Sequence, residues 1–532
     1  MATVAVAAPE RQAEQQEEEA IGNEKFVWAK HWYPIVPLEW LEEARGEGYE
    51  SGLPQIQRQT ILGRDIVVWK DAEGEWRAVE DRCSHRLAAL SLGSVQKDGT
   101  LACRYHGWCF NGRGECTHIP QATDATSEAT ACASSRSKIV AFPTLEAHSF
   151  LWVWPDESPT SWVDAAMAKP AVGAVTEPDA VWSTDEYAVT FGALMENIFD
   201  PAHLFHLHNG MPSGFSKFQP PTFSPAAENP MMFAKQVGDM TPNGGFKISH
   251  GQYFKGDLRK DFTMQFTPPC LTCWRNVSPD GTIVNFEINY VPLRPGHTRF
   301  YAAFKRDTSN VTPPPSAEGA LQLGDIAQKV VGALAAWPLM LKKLAFGIVP
   351  DFLRKSLQHH GLLVKMGNQD KVSLHSEDLA LIGSNMPFQQ KTYLPTPSDV
   401  GVAAFRKWME MHGGGEPAWF GGGTEAEAVQ KIRQDGMFDR WELHSRRCPT
   451  CRKSLKFLGA MEAVVSKAAA IFLGLAALLV CMRASDPRLA MTATVVAGAA
   501  LLLRFEAQKL RSQFLSNIPD TGIPEVSFGW PS

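Results

Sequence analysis

Asp81-Arg82-Cys83-Ser84-His85-Arg86 and, with seventeen residues between His85 and Cys103, Cys103-Arg104-Tyr105-His106-Gly107-Trp108 are the two stretches on which the reading of this chain turns. Each supplies one Cys and, two or three residues later, one His. A tetrahedral zinc finger groups its two Cys together and its two His together, whereas here thiol and imidazole alternate. Alternation is what a [2Fe-2S] cluster needs when two thiolates hold one iron and two imidazoles hold the other. Cys83, His85, Cys103 and His106 are therefore the expected cluster ligands. Neutral imidazole ligands raise the potential of such a cluster, a Rieske centre, well above that of an all-thiolate one.

Around these loops, Ile61-Leu62, the Gly63-Arg64-Asp65 turn, Ile66 to Trp69 and Trp76 to Val79 read as short antiparallel strands, closed by Phe150 to Trp154 before Pro155. Residues 26–156 are expected to form a small β domain with both ligand loops at its tip. Residues 1–25 turn acidic and Gln-rich and read as disordered. They lack the Ser- and Arg-rich, acid-poor composition of a transit peptide.

Residues 157–412 mix strand runs such as Val284 to Val291 with helical patches, which fits an α+β domain. Its chemical stretch is Glu196-Asn197-Ile198-Phe199-Asp200-Pro201-Ala202-His203-Leu204-Phe205-His206-Leu207-His208. Non-haem Fe(II) sites use two His and one carboxylate on one face, leaving positions open for dioxygen and substrate. On an ideal helix His203 and His206 share a face, while His203 and His208 stand about 140° apart. Asp200-Pro201 reads as a cap and a first-turn proline, so the segment is expected to restart there and ideal spacing does not decide the pair. The apolar stretch from Leu321 to Leu357, broken at Pro338 and Pro350, reads as interrupted helices.

Gly413 to Gly415 and Gly421 to Gly423 read as flexible linkers within residues 413–456, which also hold Cys448-Pro449-Thr450-Cys451. A Cys-x-x-Cys pair closes to a disulfide or holds half a zinc site. The other pair, Cys270 and Cys273, falls in an apparent strand running from Phe266 to Trp274, where residues three apart point to opposite faces. In residues 457–511 the apolar runs Ala468 to Met482 and Leu489 to Leu503 each give about 22 Å of helix, short of a hydrocarbon core of about 30 Å. With Lys467 snorkelling and a turn at Asp486-Pro487, a transmembrane hairpin is expected, followed by a tail over 512–532. Arg446, Arg447, Arg452, Lys453, Lys456, Arg504, Lys509 and Arg511 lie outside the hairpin, against Arg483 and Arg488 in its loop. The bulk of the chain is then expected on the cytosol-like face.

At 532 residues the chain is long enough for two or three domains. Its net charge of -6 excludes the global basic field of a nucleic-acid binder. Ten Cys without the even spacing of a secreted framework indicate a reducing compartment.

From about Trp28 to Arg511 the chain resembles the plastid Rieske oxygenases of the pheophorbide a oxygenase and chlorophyllide a oxygenase group, through the two ligand loops, Trp32-Tyr33-Pro34 and the Asn197-x2-Asp200-x2-His203-x4-His208 pattern. The resemblance implies a Rieske [2Fe-2S] cluster and a mononuclear non-haem Fe(II) held by His203 and His208, with Asp378 as the carboxylate ligand and Glu377 its rival. It implies Asp200 as the bridge to the Rieske His of a neighbouring subunit in a head-to-tail homotrimer. It further implies ferredoxin as electron donor, O2 as oxidant and a tetrapyrrole substrate. A thioredoxin-responsive role for Cys448 and Cys451 and a chloroplast membrane location with the bulk facing the stroma complete the set. Pheophorbide a is the leading substrate, ahead of chlorophyllide a oxidation and phyllobilin or protochlorophyllide hydroxylation. A membrane-tethered Rieske relay without oxygenase chemistry is the rival, although a relay has no use for the Asn197 to His208 constellation.

Overall fold

A computed structural model describes residues 25–43, 56–175, 182–208, 232–254, 257–277, 281–309, 349–358, 364–382, 386, 388–429, 437–482 and 487–515. The expected disorder before residue 25, most of the Leu321 to Leu357 stretch and the loop between the apolar runs lie outside them. The chain divides into two compact units, Met1–Asn310 with Gln369–Arg433, and Val311–Asn368 with Gln434–Ser532.

In the first unit Ile56–Ile61, Arg64–Lys70, Trp76–Glu80 and Ala141–Phe142 form one antiparallel sheet. Its strand Arg64–Lys70 carries four consecutive buried apolar residues because it has a core on each side. Ile66 and Val68 face the main core, while Val67 and Trp69 face the smaller core beneath the ligand loops, as a period of two requires. A second sheet of four two- and three-residue strands, Ser94–Val95, Leu101–Ala102, Cys109–Phe110 and Cys116–His118, presents the loops. Tyr33–Pro37, Phe150–Val153 and Thr144–Ala147 form a third.

The other half of this unit is a seven-stranded antiparallel sheet in the spatial order Ser183–Tyr187, His297–Asp307, Ile283–Arg294, Leu271–Val277, Asp257–Thr267, Gly245–Phe254 and Met232–Thr241. The expected strand from Phe266 to Trp274 is two strands, with Pro268-Pro269 and Cys270 at the turn between them. Two prolines without N–H donors cannot continue a ladder. Helices Phe191–Phe199 and Val400–Trp408 cover the sheet, with Phe266 edge-on to Phe405 and Trp408. The α+β class holds for this half, and the N-terminal half is a β domain.

The glycine runs do not lie in a loose tether. Trp28 donates its indole N–H to the Gly413 carbonyl at 2.8 Å, Phe420 N donates to Leu62 O at 2.7 Å, and the Arg64 guanidinium stacks 3.9 Å above the Phe420 ring. Five glycines from Gly414 to Gly423 adopt left-handed φ values, so this segment is a shaped strap between the β domain and the catalytic half.

In the second unit the apolar runs are the inner parts of two longer helices, Pro449–Cys481 and Pro487–Leu515. At 33 and 29 residues they span about 50 and 44 Å, enough to cross a membrane by length and composition. The first begins eight residues before the expected boundary at 457 and takes Cys451 into its first turn. Small residues, Ala469, Ala476, Ala493, Ala497, Ala500 and Ala507, are buried, while Val464, Ile471, Leu478, Val495 and Leu502 face outward. That is the reverse of a water-soluble hairpin.

Candidate active site and its two metal centres

The two ligand loops close in the same way. Cys83 N donates to Ala88 O and Leu87 N to Cys83 O; Cys103 N donates to Trp108 O and Gly107 N to Cys103 O, all at 2.8–2.9 Å. The fourth residue after each Cys turns left-handed, Leu87 at φ 62° and Gly107 at φ 77°. Glycine bears that conformation freely; leucine does so under strain. The loops bring the Cys83 and Cys103 thiols into hydrogen-bond contact, and the His85 and His106 rings within 4.6 Å. His85 stacks on Trp108. Both thiols are buried, while His85 is exposed and His106 half-exposed. Burial pushes the Cys83 thiol up to about 11, so a cationic centre beside it is what would hold it as thiolate. Two inward thiols and two outward imidazoles fit a Rieske cluster. Arg82, Arg86 and Arg104 are exposed around it.

In the catalytic half, helix Phe191–Phe199 is capped by Thr190 and ends at Asp200. After Asp200-Pro201 the chain restarts for one turn, His203–His206, and then delivers His208. The expected break is present, and it changes which histidines converge. The His203 and His208 rings stand 5.3 Å apart, whereas His206 is exposed. Their partner is Asp370, on helix Val364–Ile382. Asp370 Oδ1 lies 3.2 Å from His208 Nε2 and 3.9 Å from His203 Nε2, and the three donor atoms fall within 4.8 Å of one another.

The remaining contacts orient this set. His208 Nδ1 meets Gln369 Oε1 at 2.7 Å and His203 Nδ1 meets the Asp200 carbonyl at 2.5 Å. A carbonyl oxygen only accepts, so each Nδ1 carries a proton, and each Nε2 is turned toward Asp370. Asn197 Nδ2 donates to Asp370 Oδ1 at 3.3 Å. Burial alone would lower the His208 imidazole, but the bond to Asp370, its charge and Gln369 outweigh it and raise the group. Two imidazoles and a carboxylate with converging donor atoms are the set that a non-haem Fe(II) takes. The residues fit the ion.

Asp378, expected as the carboxylate of this set, is not part of it. It sits eight residues further along the same helix, about 12 Å along the axis. Its oxygens accept from Thr190 N at 2.8 Å and Thr190 Oγ1 at 2.6 Å, so it fastens the start of helix Phe191–Phe199. Burial raises its carboxyl to about 6 despite those bonds. Neighbouring Glu377 is raised to about 7 by burial and by Asp378 and Asp200. Asp200 itself accepts from Ala202 N through Oδ1 at 2.8 Å, and its carboxylate is a third exposed. Spacing in the sequence offers no choice between acids two turns apart on one helix. In the structure Asn368, Gln369, Asp370 and Lys371 are four adjacent polar residues that are all buried.

The Rieske [2Fe-2S] domain profile matches residues 39–134. Over 505 residues the chain is 28% identical to rice (Oryza sativa subsp. japonica) pheophorbide a oxygenase, chloroplastic, covering 91% of this chain and 83% of that one. The chain carries a Rieske [2Fe-2S] domain and is similar over most of its length to pheophorbide a oxygenases. It is also 28% identical to the Arabidopsis thaliana pheophorbide a oxygenase, covering 82% of this chain and 76% of the relative. To flavonoid 8-hydroxylase 2 of Ocimum basilicum it is 26% identical, covering 93% and 84%. The matched domain is one that holds a [2Fe-2S] cluster, and the His203, His208 and Asp370 set fits a mononuclear iron. Of the two Cys pairs the chain carries, Cys270 is buried at the turn between strands, while Cys448 and Cys451 lie with His444.

Proposed function

We propose that this protein uses ferredoxin-derived electrons and O2 to oxygenate a chlorophyll-derived macrocycle, with pheophorbide a as the leading substrate and oxygenolytic ring opening as the leading reaction. The observation that carries the reading is the convergence of His203, His208 and Asp370 in the chain that bears the Cys83/His85/Cys103/His106 loops. A relay needs the second set but not the first. When bound, the iron supplies the site for dioxygen activation. The chain's own residues do the rest: Gln369 and the Asp200 carbonyl fix the two imidazoles with Nε2 forward, and Asn197 holds Asp370.

Ferredoxin as donor is supported by energetics and charge. A plant-type ferredoxin near -400 mV reduces a Rieske centre at about -150 mV or above. The exposed Arg82, Arg86 and Arg104 around the imidazoles offer an acidic carrier a docking face. Asp200 touches His203 through its carbonyl and keeps its carboxylate partly exposed, which suits a bridge to a neighbouring subunit's cluster in a head-to-tail trimer. The chloroplastic relatives and the apolar helices, with small residues inward and large ones outward, support a chloroplast membrane location, and the basic residues outside the hairpin favour the bulk facing the stroma.

The test supplies ferredoxin, its reductase, isotopically labelled dioxygen and, in separate reactions, pheophorbide a, chlorophyllide a, protochlorophyllide and a flavone. Loss of the green absorbance with label in the product supports the proposal. Labelling of another tetrapyrrole moves the substrate within the class. Turnover of the flavone alone sinks the tetrapyrrole reading, and about two irons per chain in place of about three would leave a relay.

A further inference from the structure

Within the second unit a cluster outside the active site combines His444, from the helical turn Trp441–Ser445, with Cys448 and Cys451 at the start of the long helix Pro449–Cys481. The three are 3%, 7% and 1% exposed. His444 Nε2 lies 3.2 Å from Cys451 Sγ, and the three donor atoms fall within 4.8 Å of one another. Around a tetrahedral zinc, with Zn–S of about 2.3 Å and Zn–N of about 2.0 Å, neighbouring S and N ligands stand about 3.5 Å apart. The His444–Cys451 pair stands near that separation, and all three donors are close enough together to converge on a single ion. A thiol pair working by exchange with a protein partner has to offer one sulfur to solvent, and neither sulfur here does so.

The surroundings give such a site a purpose. Ser454, one turn past Cys451, bonds the hydroxyl of Ser356 at 2.9 Å, and Phe457 packs edge-on against Phe352, both on the helix Asp351–Gln358. Arg440, just before the His444 turn, donates to the Gln513 carbonyl at the far end of the helical hairpin. The cluster therefore sits where the hairpin, the turn that leads into it and a neighbouring helix meet.

We propose that His444, Cys448 and Cys451 form a third metal site, for a soft divalent cation of the zinc class, that clasps the base of the apolar hairpin. His444 Nε2 and the two Sγ atoms are three ligands and water the fourth. Binding releases the two thiol protons to solvent, involves no change of oxidation state, and favours zinc over harder ions because thiolates are soft.

The experiment measures all metals in the full chain, solubilised in detergent after growth with iron and zinc. The expected result is about one zinc beside about three irons. Cys448→Ser with Cys451→Ser, and separately His444→Ala, should abolish the zinc while keeping the iron count and the Rieske spectrum. In parallel, Co2+ added to metal-stripped wild-type chain should give intense tetrahedral visible bands with sulfur-to-metal charge transfer, absent from the double variant. This arm decides even if a variant fails to fold. Wild-type chain with neither zinc nor the cobalt bands would overturn the proposal. So would zinc retained in both variants, or an intramolecular Cys448–Cys451 disulfide found by mass spectrometry in wild-type chain purified without reductant.

Discussion

Replacing Asp370 by Ala should empty the mononuclear site and spare the cluster. Among the described residues, Asp370 is the anion that lies near both His203 and His208, at 3.9 and 3.2 Å. Even an outer partner of a ligating His is worth about 10–100-fold in metal affinity, or about 1.4–2.7 kcal/mol at 1.36 kcal/mol per decade. That is the range expected for Gln369→Ala, which frees only His208 Nδ1. Loss of the charged ligand itself must exceed it, so iron binding should weaken more than about 100-fold. Asp378→Ala removes a partner of Thr190 and no ligand, and should leave iron in place. The assay is iron per chain after equilibration with limiting free Fe(II), with the Rieske spectrum as internal control. About two irons are expected for Asp370→Ala and about three for Asp378→Ala and Glu377→Ala. Three irons in the first with two in the second would refute the assignment.

Leu87→Gly should raise the temperature at which the Rieske absorbance bleaches. Removing a left-handed penalty of about 1–2 kcal/mol, less the entropy cost of Gly of about 0.5–1, leaves a net gain of up to about 1.5 kcal/mol; a lower midpoint contradicts the strain. Arg86→Glu with Arg104→Glu should cut ferredoxin-supported turnover about tenfold or more at low ionic strength and flatten its salt dependence, and an unchanged salt profile moves the docking face elsewhere. Asp378, raised to about 6, binds a proton on folding between about pH 4 and 6, so its contribution to stability is full below pH 4 and is lost as pH rises through 6. Asp378→Asn should remove about 2–3 kcal/mol of that pH dependence, and parallel melting curves against pH for the two proteins would count against it. The full chain should remain in the pellet when membranes are washed with alkaline carbonate; release to the supernatant speaks against a span.

What sequence could carry depended on whether chemistry or geometry did the selecting. The alternation of Cys and His was legible because a mixed-ligand cluster admits few other spacings, and the restart at Asp200-Pro201 because proline fixes its own backbone. The choice of Asp370 was not legible, since Asp370 and Asp378 share a helix and differ only in what faces them: two imidazoles in one case, the Thr190 cap in the other. Gly413 to Gly423 misled in the opposite sense. Glycines there serve left-handed turns that lay Phe420 under Arg64, and composition alone reads such turns as looseness. The Phe266 to Trp274 stretch failed for the same reason, with Pro268-Pro269 reversing a chain that its apolar residues would have kept straight.

The strap from His412 to Phe420 has a kinetic consequence. By tying Phe26, Trp28 and Leu62 of the β domain to the catalytic half, it removes the freedom a swinging electron carrier would need. In an assembly of the proposed kind, the gap an electron crosses between cluster and iron is then a fixed quantity, set when subunits associate and not searched for in each turnover. Electron arrival would be limited by how often a donor collides with the exposed imidazoles, and dilution below the assembly's dissociation constant would reduce it in proportion to the assembled fraction.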